Sequence, residues 1–480
     1  MSSPVLDAER CADPPAGPHR AYAASRRGGR HPRSIITDIR HMKEYMRMGQ
    51  QVRYRVRGGR PLKGTAFIQG AKNAVLPMIG AALLASEGRT VLRNVPIIED
   101  VRRALELAEH IGAKVEFHEP ERTIVIDASE LGDPERAVLP ADIAARFRGS
   151  VLFVPALMHR MRQARIEGVG GCNLGSRKLD FHYRGFARLG AEVTEDAERN
   201  HININAPNLR GGRLYLDTPS HTGTENLIMA AALTPGTTVI EHAALEPEVL
   251  DVIEFLTRMG AKISGGGTGI ITVEGVESLT AVEHTIMSDR IDAGVLAMMA
   301  AATGGEVSLV GAHLDHLGVA RWKLEQMGVD FAQQGAVLHV RRDADAPLRP
   351  INAVTSPYPG FATDLQSPLM ALATLADGES YLHEAIYDGR FALADELNKM
   401  GAKIEVDGTR AIVHGSPSTP LRGADVVAHD LRTGAALVLA GLVAEGETVV
   451  ASGYLVDRGH SQFASRLAAL GADVTRESAA

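Results

Sequence analysis

One cysteine, Cys172, sits in a glycine-rich stretch, Val169-Gly170-Gly171-Cys172-Asn173-Leu174-Gly175-Ser176-Arg177. Glycine lets a backbone approach a ligand closely, and a guanidinium near a thiol favours the thiolate. The stretch therefore reads as a loop carrying a titratable sulfur beside an anion binder. The plainer alternative is a buried cysteine in an ordinary turn, because free cysteine is among the most buried residue types. Other polar groups stand at loop positions along the chain. Lys72 and Asn73 follow the strand-like run Ala66-Phe67-Ile68 and open a helical pattern. A lysine there can bind an anion together with the free backbone N–H groups, or it can be simply solvated. Arg148 precedes the apolar run Val151–Pro155. Ser220-His221-Thr222-Gly223-Thr224 opens a further helix. It can cradle a phosphate, or Ser220 or Thr222 can be a plain N-cap. Asp364 follows the turn Pro357-Tyr358-Pro359-Gly360 and, taken alone, reads as an N-cap. Asp388 with Arg390, Asp430 with Arg432 and Asp457 with Arg458 are acid–arginine neighbours. Taken singly, each reads as a structural salt bridge.

The elements that must position these groups come from a repeat. Gly112, Gly190, Gly260, Gly328, Gly401 and Gly471 each follow an amphipathic helical run and precede a short strand-like run. They recur about every 70 residues, a period longer than that of solenoids. Glycine just past a helix takes the left-handed conformation that closes the last turn. A second helix–strand pattern lies inside most units, as in Ala81–Gly88 leading to Thr90-Val91-Leu92. Six such blocks suggest two domains of three blocks each, with a cleft between them as the natural ligand site.

Bulk composition narrows the function. The 480 residues are 45% hydrophobic and 23% charged, as in ordinary globular chains, so sizeable cores are available. The net charge of −7 argues against a nucleic-acid partner. Anion binding must then come from a few focused cations. Cys11 and Cys172 form neither a disulfide framework nor a metal-ligand spacing, which fits a reducing, cytoplasmic compartment. No apolar run approaches the roughly 18 residues of a membrane span. Residues 1–50 are rich in arginine, proline and glycine and read as a disordered basic arm. No signal-peptide-like apolar segment follows those arginines. Met46 or Met48 is a candidate start of the functional chain.

Taken together, the Lys72-Asn73 segment, the Cys172 loop ending in Arg177, Asp430-Leu431-Arg432 and Asp457-Arg458-Gly459 resemble the enolpyruvyl transferases over about residues 52–475. The resemblance implies an α/β fold: a two-domain inside-out α/β barrel with six βαβαββ repeats and a pseudo-threefold axis in each domain. It implies domains at 72–287 and at 51–71 plus 288–480. It also implies transfer of the enolpyruvyl group of phosphoenolpyruvate to the 3-hydroxyl of UDP-N-acetylglucosamine, with phosphate release, in peptidoglycan precursor synthesis. No metal or organic cofactor is implied. By the same resemblance Cys172 donates the proton and can form a covalent adduct, and Asp364 contacts the acceptor hydroxyl. Lys72, Arg177, Arg390, Arg432 and Arg458 hold phosphoenolpyruvate, with Asn73 and Asp430 orienting substrate. Arg148, Arg177, Asp180, Ser220, Asp364 and Ile386 face the nucleotide.

Arginine's forked donors suit a ligand that carries both a phosphate and a carboxylate. Several positions depart from the family's usual residues: Lys178 in place of proline, Phe181, His221-Thr222, Tyr387 and Asp388. Most of them fall on the acceptor side. They keep open a different uridine nucleotide, such as UMP in nucleoside antibiotic synthesis. A third reading, from another class, is a catalytically silent paralogue that only binds a nucleotide sugar. Enolpyruvylshikimate phosphate synthase shares the fold, but the uridine-side residues and Cys172 argue against its reaction.

Overall fold

The structure, a computed structural model, describes residues 52–144, 148–168, 180–196, 198, 200–387 and 389–478. The sequence expectation for residues 1–50 lies outside them. Among the described residues no helix is long and apolar enough to cross a membrane.

Helices that are apolar on all sides form the interior. Lys72–Ala82, His221–Ala232, Arg290–Ala302 and Leu431–Val443 are built mainly from alanine, glycine, leucine, isoleucine and methionine, and almost every residue in them is buried. A helix without a polar face must be surrounded by protein. Val154–Arg160 and Gln366–Ala373 complete two sets of three mutually contacting helices. The intervening helices are amphipathic. Glu99–Ile111, for example, buries Asp100, Val101, Ala104, Leu105, Leu107, Ala108 and Ile111 and leaves most of its other charged residues to solvent.

Six four-stranded sheets are built around these helices, and all six share one pairing pattern: one parallel pair, then two antiparallel pairs. In one of them Val52–Arg57 lies between Glu447–Ala451 and Asp473–Ser478, antiparallel to both. Strand residues alternate between buried and exposed, as in a sheet with one face on the core. The expected helix over Ala81–Gly88 is shorter. It ends at Ala82, and Ala85–Glu87 forms a short strand against Leu279–Thr280 instead.

The repeated glycines all have positive φ, from 93° at Gly471 to 115° at Gly112. In five of the six repeats the residue after the glycine donates its N–H to the carbonyl five residues earlier: Ala113 to Ala108, Ala191 to Phe186, Ala261 to Leu256, Ala402 to Leu397 and Ala472 to Leu467. This closes carbonyls that the helix end would leave unpaired.

The buried apolar residues fall into two clusters. One runs continuously from Ala71 to Ile286. The other combines Tyr54–Ile68 with Ile291–Val474. The chain therefore passes between them twice, and the two connections pair antiparallel through Gly70 and Ser288. Two glycines test the packing and the caps separately. A Cβ at Gly80 would lie 2.5 Å from the Leu152 carbonyl oxygen, whereas a Cβ at Gly401 meets open space but sits at φ +94°. Gly80→Ala is expected to cost about 1–3 kcal/mol by overpacking, and Gly401→Ala about 1–2 kcal/mol by backbone strain alone. Gly401→Asn should recover part of its loss, since asparagine tolerates the left-handed region, while Gly80→Asn should be worse than Gly80→Ala. Urea-unfolding midpoints of the four variants check this ordering.

Candidate active site

A cleft with a volume of about 620 Å³ is lined by residues from both clusters. Of the residues singled out in the sequence, Lys72, Asn73, Asp180, Ser220, Asp364, Ile386, Arg390, Asp430, Arg432 and Arg458 all line it. Cys172 and Arg177, with Lys178, lie outside the described residues, as does Asp388. Arg148 begins a 3₁₀ turn, Arg148–Phe153, and its neighbour Gly149 lines the cleft.

Asp364 is the centre of one group. It lies within the short turn Thr363–Leu365, so the N-cap role expected from its isolated position is not what it does. One carboxylate oxygen accepts from Arg390 at 2.8 Å, and the other accepts from Arg432 at 2.7 Å. Both guanidiniums are almost wholly buried, while the Asp364 side chain keeps a quarter of its surface exposed toward the cleft. Burial would raise the carboxyl's pKa, but Arg432 and Arg390 outweigh it and hold it well below the usual carboxylate range. Arg390 is steadied by a bond to Thr363 Oγ1 at 2.6 Å, by Thr363 in turn donating to Glu384, and by the face of the Tyr387 ring. Arg432 stands in the first turn of Leu431–Val443. Asp430, expected to pair with it, caps that helix instead. Its side chain accepts from the backbone N–H groups of Arg432 and Thr433, and Thr433 returns the capping bond.

The second group is centred on Asp100, which the sequence reading missed. Asp100 is buried at the start of the Glu99–Ile111 helix. Lys72 Nζ approaches it at 2.7 Å and Arg458 Nε donates to it at 2.8 Å. Burial works against the charged form, but Lys72 and Arg458 bring its pKa down to about 2. Arg458 comes from the second cluster and the other two from the first, so this triad spans the cleft. Asp457 is not the partner of Arg458. It accepts from Tyr54 Oη at 2.6 Å and from Arg476. Of the expected neighbouring acid–arginine pairs, the two whose members are both described, Asp430 with Arg432 and Asp457 with Arg458, do not form.

The cleft is also lined by Ser220, His221, Asp180 and Ile386. Ser220 is the plain N-cap of His221–Ala232, its Oγ accepting from Gly223 N at 3.1 Å. His221 Nε2 lies 3.2 Å from buried Glu225. Burial disfavours the imidazolium, yet Glu225, Glu246 and Glu248 outweigh it and raise the pKa of His221 to about 10. Nearby, Arg290 bonds Glu248 at 3.0 Å and lies under the Tyr358 ring. Among the described residues no group of three His, Cys, Asp or Glu side chains is arranged to hold a metal ion. The cleft thus offers two cations around each of two carboxylates, with Arg290 paired to Glu248 and His221 beside Glu225 also in its lining.

Comparison with known proteins follows the same lines. The family model for EPSP synthase (3-phosphoshikimate 1-carboxyvinyltransferase) matches residues 56–467. The chain is 83% identical over 430 residues to the UDP-N-acetylglucosamine 1-carboxyvinyltransferase of Thermobifida fusca, covering 90% of this chain and 99% of that protein. It is 44% identical over 421 residues to UDP-N-acetylglucosamine 1-carboxyvinyltransferase 2 of Symbiobacterium thermophilum, covering 88% and 97% of the two chains. Among solved structures, the enolpyruvyl transferase NikO of Streptomyces tendae superposes with a TM-score of 0.80 at 27% identity, over 89% of this chain and 99% of that one.

The Asp364 group makes a stability prediction with a defined sign. Asp364→Asn leaves two buried guanidiniums without their counter-charge. The expected loss is about 3 kcal/mol, the low end for breaking a buried pair, because the carboxylate is partly solvated. A carboxyl whose folded pKa is depressed contributes stability above its unfolded value, near 3.9, and loses it as pH falls through the folded value. The gap between wild type and Asp364→Asn in denaturation midpoint should therefore be constant above about pH 5 and shrink at pH 3. A gap that widens in acid would contradict the ion-pair assignment.

Proposed function

This chain belongs to the enolpyruvyl (carboxyvinyl) transferases, and from that premise we propose that it transfers the enolpyruvyl group of phosphoenolpyruvate to the 3-hydroxyl of UDP-N-acetylglucosamine, releasing phosphate. The observation that carries this reading is the convergence of Lys72, Arg390, Arg432 and Arg458 on one cleft, each already satisfied by a carboxylate. Phosphoenolpyruvate presents a phosphate and a carboxylate, the two groups that such cations recognise. The acceptor follows from the relative that is 83% identical and bears the name of that reaction. No comparable support exists for UMP or for a silent paralogue. The fold reading goes with it: the two clusters are taken as domains 72–287 and 51–71 plus 288–480, each an inside-out barrel of three βαβαββ units around a pseudo-threefold axis. Six sheets with one pairing pattern around fully buried helices support that reading. The reaction belongs to peptidoglycan precursor synthesis in the cytoplasm.

The chemistry adds the acceptor oxygen to C2 of phosphoenolpyruvate and a proton to C3. It then removes a C3 proton and expels phosphate from C2, so the double bond is restored. Cys172 supplies the proton to C3, with Arg177 favouring its thiolate once the proton has gone. Asp364 faces the acceptor hydroxyl. With both of its oxygens held by arginines it is a poor base. Anionic groups of the bound donor draw on Arg390 and Arg432 and so return basicity to Asp364 when both substrates are present. Arg148, Asp180, Ser220 and Ile386 face the nucleotide, with His221 as an added cation for its phosphates.

Phosphate release from phosphoenolpyruvate should require UDP-N-acetylglucosamine. That acceptor should be preferred over UMP by at least about 100-fold in kcat/KM, about 2.7 kcal/mol of barrier. Asp364→Ala should lower kcat by about 10²- to 10⁴-fold. An epoxide phosphonate should alkylate Cys172 and leave Cys11 untouched, as read by peptide mass mapping. Preference for UMP, or modification at Cys11 alone, would overturn the corresponding part of the reading.

A further inference from the structure

The two connections between the clusters run side by side. Ala71 N donates to Met287 O and Asp289 N donates to Gln69 O, both at 2.8 Å. Gln69 is 2% exposed, and its side chain leaves this pairing for a third segment, the loop that follows Arg458. Its Nε2 donates to Gly459 O at 2.9 Å, and its Oε1 accepts from Ser461 N at 2.7 Å. A primary amide both donates and accepts in one plane, which is what binding a carbonyl and an N–H two residues apart requires. His460, between those residues, is buried with its Nδ1 at 3.0 Å from Asp292. Lys72 lies three residues beyond Gln69 on the same segment, and Arg458 lies immediately before Gly459. Lys72 and Arg458 meet at Asp100, one from each cluster.

We infer that Gln69 is a positioning residue for Arg458. It attaches the Arg458 loop of the second cluster to the segment that carries Lys72, so it adds a fixing point outside the cleft to the Asp100 carboxylate that the two cations share inside it. The inference rests on the proposed reaction for the identity of the anion, phosphoenolpyruvate. It assigns Gln69 no contact with substrate. Misplacement by about 1 Å is enough to weaken recognition of a phosphate or carboxylate substantially.

Gln69→Leu removes both bonds at similar size. Gln69→Glu keeps the acceptor for Ser461 N and loses the donor to Gly459 O, so it serves if the leucine variant does not fold. The expected result is a rise of about five- to twentyfold in KM for phosphoenolpyruvate with KM for the acceptor within about twofold. In an Arg458→Ala background neither substitution should raise it further, because the residue it acts through has gone. A KM for phosphoenolpyruvate within about twofold of wild type, equal increases in both KM values, or an undiminished effect in the Arg458→Ala background would each overturn the assignment. Absence of turnover in the wild-type chain would count against the proposed reaction instead. The attachment itself is then read by amide exchange at Ser461, which should accelerate in Gln69→Leu, and unchanged exchange there would overturn it.

Discussion

Everything in the cleft depends on how two separately built cores are held in one orientation, and the carboxylate of Asp289 is where that constraint concentrates. One oxygen accepts from Ile291 N and Asp292 N, capping the Arg290–Ala302 helix. The other accepts from Lys72 N, at the start of the Lys72–Ala82 helix. A single buried side chain thus serves the N-termini of two core helices, one in each cluster, at the point where the chain crosses between them. Helix N-termini carry unpaired N–H groups and partial positive charge, and one carboxylate satisfies both. Burial and the neighbouring Asp292 raise its pKa, while Arg432 and these backbone donors oppose the rise. Because Lys72 is itself one of the capped residues, the inter-cluster geometry and the position of a cleft-lining cation are the same structural fact.

Around that frame the cleft arranges its charges in groups of two cations to one acid. Asp100 is shared by Lys72 and Arg458, and Asp364 by Arg390 and Arg432. An unpaired buried guanidinium would be costly to fold, so an anion-binding site needs internal carboxylates to stand in until a ligand arrives. This is how a chain with a net charge of −7 can gather Lys72, Arg390, Arg432 and Arg458 in one cleft.

Much of the architecture was legible in the sequence because it repeats. Six glycines at helix ends mark a conformation that other residues adopt reluctantly, and all six take it. The pairing of charges was not legible. Asp430 and Arg432 are neighbours in sequence, yet an aspartate before a helix is drawn to the backbone N–H groups two and three residues on, which turns it away from the arginine. The partner of Arg432 is Asp364, 68 residues away. Asp100 was invisible for another reason. It sits among Glu99, Arg102 and Arg103, a run that reads as a solvated helix face. Only the packing of Lys72 and Arg458 above it makes it a buried charge.

The sheet that contains Val52–Arg57 has a consequence for how the protein is made. The first cluster is continuous in sequence and can be completed as soon as residue 286 is available. The second cannot, because its earliest strand is flanked on both sides by strands made last, Glu447–Ala451 and Asp473–Ser478. At roughly 5–20 residues per second, that strand waits on the order of 20–80 s for its partners. During that time the strand, with its buried-facing Tyr54 and Val56, stands unpaired, in the later part of it beside a first cluster that can already be complete. The alternating arginines of that strand, Arg53, Arg55 and Arg57, place charge on its outward face. Charge of that kind discourages pairing with a stray strand, so the residues that later bond Glu447 and Glu477 also guard the strand during synthesis.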